Sequence, residues 1–148
     1  MKTVILIGDS IRMGYEDVVR RQLAGRYEVW APTENGATSA NVLAHLDEWA
    51  IERAADLVHV NCGLHDLRKD FGQETSAIPL AAYTANVRTI LSRLQSETNA
   101  LVVWAAITPV NGAWHHATKG FDRFEADVDA YKQPAWKRTE QKKEKGLF

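Results

Sequence analysis

The residues best suited to chemistry lie near the start of the chain, where an apolar run ends in Gly8-Asp9-Ser10 and a helical pattern follows. The run Val4–Ile7 predicts a strand that is buried on both faces in a parallel sheet. A serine between such a strand and the next helix lies at the crevice where open α/β sheets bind ligands. The free N–H groups of the first helical turn can stabilise a developing oxyanion. Ser10 is therefore the candidate nucleophile.

Two further loops carry polar residues that complement a serine nucleophile. Asn35-Gly36-Ala37-Thr38 and Gly63-Leu64-His65-Asp66 each follow a predicted strand. Gly36 allows a backbone N–H to approach a bound group with no Cβ in the way. The His65 ring can donate a hydrogen bond in either charge state. Its alternative role is to tether its own loop.

Two carboxylates in these loops, Asp9 and Asp66, are predicted to organise turns rather than to react. A carboxylate at the start of a helix accepts hydrogen bonds from free amide groups and complements the helix dipole.

Apolar runs that alternate with helical patterns predict an α/β fold, a three-layer α/β/α sandwich with a mainly parallel sheet. The predicted strands are Thr3–Ile7, Tyr27–Trp30, Leu57–Asn61 and Leu101–Ala106. The first, third and fourth are continuous apolar runs, which indicates burial on both faces. The predicted helices are Ile11–Ala24, Ser39–Ala50, a third that starts at Pro79 and a fourth over Phe121–Tyr131. The loops after the strands, including the long segments Cys62–Pro79 and Thr108–Gly120, then meet at one edge of the sheet.

Taken together, the loops that contain Ser10, Gly36 and His65 resemble the first three sequence blocks of the SGNH hydrolases, also called GDSL-type esterases and lipases. The resemblance covers roughly residues 3–131, and His65 stands where the family has an asparagine. It implies a flavodoxin-like α/β/α fold and a serine ester hydrolase that needs no cofactor. Ser10 would be the nucleophile, and the oxyanion hole would consist of the Ser10 and Gly36 N–H groups and His65. The implied substrate is a small acyl ester, such as an acetylated sugar or a short-chain lipid.

The general base that Ser10 requires is not evident in the sequence. In the family it is a histidine of an Asp-x-x-His block that follows a fifth strand near the C-terminus, but residues 132–148 contain neither histidine nor aspartate. The one match to that spacing, Asp56 to His59, falls within the third predicted strand, which favours a core or boundary histidine. His115 and His116 follow the fourth strand and are candidates for the base or for the wall of the substrate pocket. No carboxylate partner for them is evident from spacing.

The end of the chain differs from the rest. Residues 132–148 carry six lysines and arginines against two glutamates, a net charge of +4 that leaves −5 for residues 1–131. Pro134 is expected to interrupt any continuing helix. We therefore interpret residues 1–131 as a truncated hydrolase-like domain whose fifth strand is missing or replaced, and residues 132–148 as a basic tail. The fourth strand would become an exposed edge, which predicts a homo-oligomer, most simply a dimer.

Composition excludes several other classes of protein. The acidic body disfavours a nucleic-acid partner, and no apolar run approaches the ~20 residues that cross a bilayer. Histidine and cysteine spacing offers no metal site, and the single Cys62 excludes an internal disulfide. The absence of a signal-peptide pattern predicts a cytoplasmic protein. A phosphate-binding flavodoxin-like role is disfavoured because no Gly-rich phosphate loop is present. A non-catalytic carbohydrate- or ester-binding relative remains the main alternative to the hydrolase.

Overall fold

The computed structural model describes the backbone of residues 1–144 and the side chains of residues 1–138. Six strands and six helices follow one another along the chain, with one 3₁₀ turn at Ile51–Arg53. The strands are β1 (Lys2–Ile7), β2 (Tyr27–Trp30), β3 (Leu57–Val60), β4 (Lys69–Asp70), β5 (Leu101–Trp104) and β6 (Phe121–Asp122). The helices are α1 (Ser10–Leu23), α2 (Ser39–Ala44), α3 (Leu46–Trp49), α4 (Leu80–Glu97), α5 (Gly112–Thr118) and α6 (Glu125–Glu144).

The main sheet has the order β2-β1-β3-β5 with all neighbours parallel, so the predicted α/β sandwich is confirmed. Successive side chains of β1 point to opposite faces. Ile5 and Ile7 pack with α2, α3, α4 and α6 in the larger core, whereas Val4 and Leu6 pack against α1. The chain leaves β1 towards β2 on one side and later returns to β3 on the other. The C-terminal end of β1 is therefore the topological switch point, where such sheets bind ligands.

The strand β5 lies at the edge of the sheet, as the sequence predicts, but its expected burial on both faces is wrong. Leu101 and Val103 are 61% and 37% exposed, whereas Val102 and Trp104 pack against the larger core. The cause is the uneven distribution of helices: among the described residues, α1 alone packs on that face, and its hydrophobic cluster extends only as far as Leu57 of β3.

The helix predicted over Phe121–Tyr131 is present from Glu125 onwards, but its start at Phe121 and the interruption at Pro134 are wrong. Phe121–Asp122 forms β6, which pairs antiparallel with β4, and α6 continues through Pro134 to Glu144. Tyr131 and Ala135 lie in the core, and Arg138 donates to Ser92 Oγ of α4 at 2.6 Å. Packing against α4 thus offsets the cost of a proline within a helix, about 3 kcal/mol. Residues 132–138 consequently belong to the packed body rather than to a separate tail, and residues 145–148 lie outside the described part of the chain.

The predicted long loop over Thr108–Gly120 contains the helix α5, which starts after Asn111. The Asn111 side chain accepts a hydrogen bond from the Trp114 N–H at 2.9 Å and so satisfies a free donor of the first turn. Along residues 1–144, no helix combines the length and the apolar character needed to cross a bilayer.

The packing of α6 can be tested by placing one new charge on each side of the helix. Ala135→Glu puts a carboxylate at a site that is 3% exposed, and we expect unfolding free energy to fall by about 3 kcal/mol or more. The matched control, Trp136→Glu, adds the same charge at a side chain that is 64% exposed and should change stability by well under half of that. Urea unfolding followed by circular dichroism measures both. Equal effects would contradict the placement of Ala135 in the core.

The predicted homo-oligomer is tested at the edge strand. We expect light scattering after gel filtration to give twice the mass of one chain, because β5 is an edge strand and its Leu101 and Val103 side chains are exposed. Leu101→Lys should yield a monomer, whereas Leu80→Lys, at a residue that is 39% exposed on α4, should not. A monomer at millimolar concentration of the unmodified chain would refute the prediction.

Candidate active site

Ser10 lies at the turn from β1 into α1, at the switch point of the sheet. A Cβ on Gly8 would lie 2.6 Å from Arg12 Cβ, so glycine is what allows the chain to turn so directly into the helix. Asp9 is buried as the N-cap, and its side chain accepts a hydrogen bond from the Ile11 N–H at 2.9 Å. Ser10 itself is exposed, and neither its hydroxyl nor its N–H has a hydrogen-bond partner among the described residues. Both groups are therefore available to a ligand.

The second loop packs directly on the first through two glycines. The Gly36 N–H donates to the Gly8 carbonyl at 2.9 Å, and a Cβ on Gly36 would lie 2.7 Å from that same oxygen. The sequence predicts that this N–H faces the reacting group, but it is engaged by the chain itself. The expected role of Gly36 as a free oxyanion donor is corrected accordingly. Glycine is required here because two backbones approach each other closely.

Arg12 supports this contact, although sequence analysis did not single it out. Its side chain is 2% exposed, Nη2 donates to the Glu34 carbonyl at 2.8 Å, and Nη1 pairs with Glu16. Burial alone would raise the pKa of Glu16, but hydrogen bonds from Arg20 and Arg12 lower it. The available signal was the spacing of four residues between Arg12 and Glu16, which places them together on a helix.

Asp66 holds the third loop against α2 and α4. It is fully buried and accepts hydrogen bonds from the Ser39 N–H at 2.9 and 3.0 Å and from the Ser39 hydroxyl at 2.5 Å. Asn86 Nδ2 of α4 donates in turn to Ser39 Oγ at 3.0 Å. Burial raises the pKa of Asp66, and the hydrogen bonds from Ser39 oppose that rise. Asp66 therefore acts structurally, by fixing the loop that carries His65.

His65 is half-buried, and its ring has no hydrogen-bond partner among the described residues. It lines a cavity of about 470 Å³ that also includes Arg68 and Asp70. Burial lowers the pKa of His65, the positive charges of Arg123 and Arg68 lower it further, and Asp9 opposes them. The ring is consequently neutral at neutral pH and carries one N–H that can donate to a ligand.

The short strands β4 and β6 form a ribbon with two distinct faces. Asp70 pairs with Phe121 and Lys69 with Asp122, and directly paired residues share a face. On one face the guanidinium groups of Arg68 and Arg123 lie 4.1 and 4.9 Å from the centre of the Phe121 ring.

The same ribbon separates the two histidines that the sequence offers as base or pocket wall. His115 lies on the Arg123 side, is 7% exposed, and has Nε2 3.5 Å from Arg123 Nη1. Burial and Arg123 lower the pKa of His115. His116 Nδ1 lies 2.7 Å from Asp122 Oδ1, on the opposite face with Lys69. His116 thus has a carboxylate partner that sequence spacing did not reveal, because only the pairing of β4 with β6 brings Asp122 beside it.

Asp56 and His59, the one pair with the Asp-x-x-His spacing, both make structural contacts. Asp56 Oδ2 accepts a hydrogen bond from the Thr3 N–H at 2.8 Å, and His59 lies within β3, edge-on to the Tyr15 ring at 6.2 Å. Within the described residues, no group of three His, Cys, Asp or Glu side chains is arranged to hold a metal ion.

Several solved structures resemble this chain. No family model matches the sequence, and no curated protein matches it. An acetyl xylan esterase structure is 15% identical over 94% of this chain and 73% of its own, with a TM-score of 0.70. A GDSL-like lipase from Bacteroides thetaiotaomicron is 17% identical over 96% of this chain, with a TM-score of 0.73. A lipase/acylhydrolase from Enterococcus faecalis is 21% identical over 93% of this chain and 70% of its own, with a TM-score of 0.71.

These likenesses establish the fold. The chain spans 65% of the length of the Bacteroides lipase, which is less than two thirds. At identities of 14–22% to eight similar structures, the likeness covers the backbone arrangement and not individual side chains. The resemblance inferred from the loops of Ser10, Gly36 and His65 is confirmed at this level: the chain has the α/β fold of the GDSL-type hydrolases.

Proposed function

We propose that the chain is a serine ester hydrolase that cleaves a small acyl ester through an acyl-serine intermediate at Ser10. The observation that carries this proposal is the exposed, unpartnered Ser10 hydroxyl at the switch point of the sheet, beside the free N–H of the same residue. The names of the similar structures, which include an acetyl xylan esterase and lipases, support an ester as the substrate. An acetylated sugar or a short-chain lipid is the substrate class that we propose.

In the proposed reaction, Ser10 Oγ attacks the carbonyl carbon of the ester and gives its proton to a general base. The carbonyl oxygen becomes an oxyanion that accepts hydrogen bonds from the Ser10 N–H and the His65 ring. Donors at such a position are each worth about 3–4 kcal/mol. The C–O bond to the alcohol then breaks, the alcohol takes the proton from the base, and water hydrolyses the acyl-serine by the same steps. Gly36 contributes by holding the second loop against Gly8.

The location of the histidines favours His115 over His116 as the base. His115 shares a ribbon face with Arg123, which lies close enough to His65 to lower the pKa of that histidine. His116 lies on the other face, paired with Asp122. A lowered pKa keeps the His115 ring neutral, which is the form that can accept a proton.

A non-catalytic binding protein with the same fold is the second candidate function. It is favoured by one observation: the His–carboxylate pair of the described residues, His116 with Asp122, lies away from the face that carries His65. Such a protein would bind a carbohydrate or an ester at the same crevice without turning it over.

Covalent labelling separates the two candidates. We expect a fluorophosphonate probe to label the unmodified chain and not the Ser10→Ala variant, because phosphonylation requires an activated serine hydroxyl. Hydrolysis of 4-nitrophenyl acetate should fall in parallel by about 10³-fold or more. Ser96→Ala, at an exposed serine of α4, is the matched control and should label normally. No labelling of the unmodified chain between pH 6 and about pH 9 would refute the hydrolase and leave the binding protein.

The donor role of His65 is tested by two substitutions with opposite consequences. Asparagine keeps a side-chain N–H donor, so His65→Asn should retain kcat within about tenfold. His65→Ala removes the donor and should lower kcat by about 10²–10³-fold, with equal melting temperatures showing that both variants are folded. If asparagine and alanine abolish turnover equally, His65 does not act as an oxyanion donor.

A further inference from the structure

We propose that the ester substrate carries a carboxylate group, which binds to Arg68 in the cavity that Arg68 shares with His65. This inference rests on the proposed hydrolase function and specifies its substrate class. It follows from the placement of two arginines, from the polar lining of the cavity and from the proximity of that cavity to the turn that carries Ser10.

The guanidinium of Arg123, beside this cavity, has neutral hydrogen-bond partners among the described residues. Arg123 is half-buried, yet its hydrogen bonds go to the Leu64 carbonyl at 2.6 Å and to His115 Nε2 at 3.5 Å. No carboxylate of the described residues forms an ion pair with it. Arg123 is therefore a partly desolvated cation whose partners are neutral, an arrangement that costs free energy and that a bound anion would relieve.

A second guanidinium adds to this charge. Arg68 and Arg123 both approach the Phe121 ring, at 4.1 and 4.9 Å from its centre, so two like charges are held close together. Arg68 has one carboxylate contact, to Asp70 Oδ1 at 3.3 Å, and the two side chains are 42% and 73% exposed. An ion pair that is so exposed is weak, and a better placed carboxylate can replace it.

The rest of the cavity wall suits an oxyanion that belongs to a polar molecule. Besides His65, Arg68 and Asp70, it is lined by Thr38, Gln73, Thr75, Ser76 and Ala77. Hydroxyl and amide groups can donate to a carboxylate whose other oxygen faces arginine, and the planar guanidinium can bind both oxygens at once. The volume of about 470 Å³ is within the range of small-molecule sites.

The cavity lies near the candidate nucleophile. Thr38 lines it, and Gly36, two residues before Thr38, donates to the carbonyl of Gly8, two residues before Ser10. In the proposed complex, one small molecule places its carboxylate at Arg68 and its ester carbonyl at Ser10.

The test compares matched esters that differ in one carboxylate. The pairs are 4-nitrophenyl butyrate against 4-nitrophenyl hemisuccinate, which place the charge on the acyl side, and phenyl acetate against 3-carboxyphenyl acetate, which place it on the alcohol side. We expect Arg68→Gln to lower kcat/KM for at least one carboxylate ester by about tenfold and to leave its neutral partner within about twofold. Lys69→Gln is the control, because it removes the same charge from the opposite face of the ribbon.

The same compounds report binding without turnover. In the Ser10→Ala chain, the His65 ring resonances should shift on titration with a carboxylate ester more than with its neutral partner, and Arg68→Gln should abolish the difference. If hydrolysis is absent but this binding preference is present, the hydrolase proposal fails and the carboxylate site stands. If neutral and charged esters are hydrolysed and bound alike by the unmodified and Arg68→Gln chains, the carboxylate site is refuted.

Discussion

The close contact between Gly8 and Gly36 is the constraint on which the candidate site depends. Two loops from neighbouring strands meet backbone to backbone, with the Gly36 N–H on the Gly8 carbonyl at 2.9 Å and no room for a Cβ on Gly36. Gly8 also allows the chain to turn from β1 into α1, where its own Cβ would collide with Arg12. The position of Ser10 and the path of the second loop are thus set by the same pair of residues. Arg12 reinforces the contact by donating to the Glu34 carbonyl.

Buried polar residues also fix the third loop at the crevice. Asp66 accepts three hydrogen bonds from Ser39, and Asn86 of α4 bonds to the same hydroxyl. A satisfied network of this kind fixes one arrangement of loops, because each missing partner would leave a buried polar group unpaired. The third loop is therefore rigid at Asp66, while the preceding residue, His65, keeps an unpartnered ring at the cavity.

The sequence predicted the main sheet well because strand and helix patterns there follow from burial. A parallel strand such as β1 is covered on both faces and has a continuous apolar sequence. The pattern could not reveal that β5 lacks a covering helix on one face, since exposure of Leu101 and Val103 depends on where α1 packs. The predicted interruption at Pro134 failed for a related reason. The local preference of proline against helix was outweighed by the packing of Tyr131 and Ala135 against α4. Ser10, Asp9 and Asp66 could be located because each lies in the segment that follows a predicted strand. Arg12 and Arg123, in contrast, bond to the Glu34 and Leu64 carbonyls, which are distant in sequence.

The helix α1 both covers one face of the central strands and carries the candidate nucleophile. In the part of the chain that the structure describes, it alone among the helices packs against Val4, Leu6 and Val29, and its first residue is Ser10. A segment that packs against a small cluster opens more easily than one that belongs to a large core. Detachment of α1 would uncover one side of the central strands and move the candidate nucleophile Ser10 out of the crevice in a single event. Protection of the α1 amides from hydrogen exchange therefore reports the fraction of molecules in which Ser10 is held at the crevice.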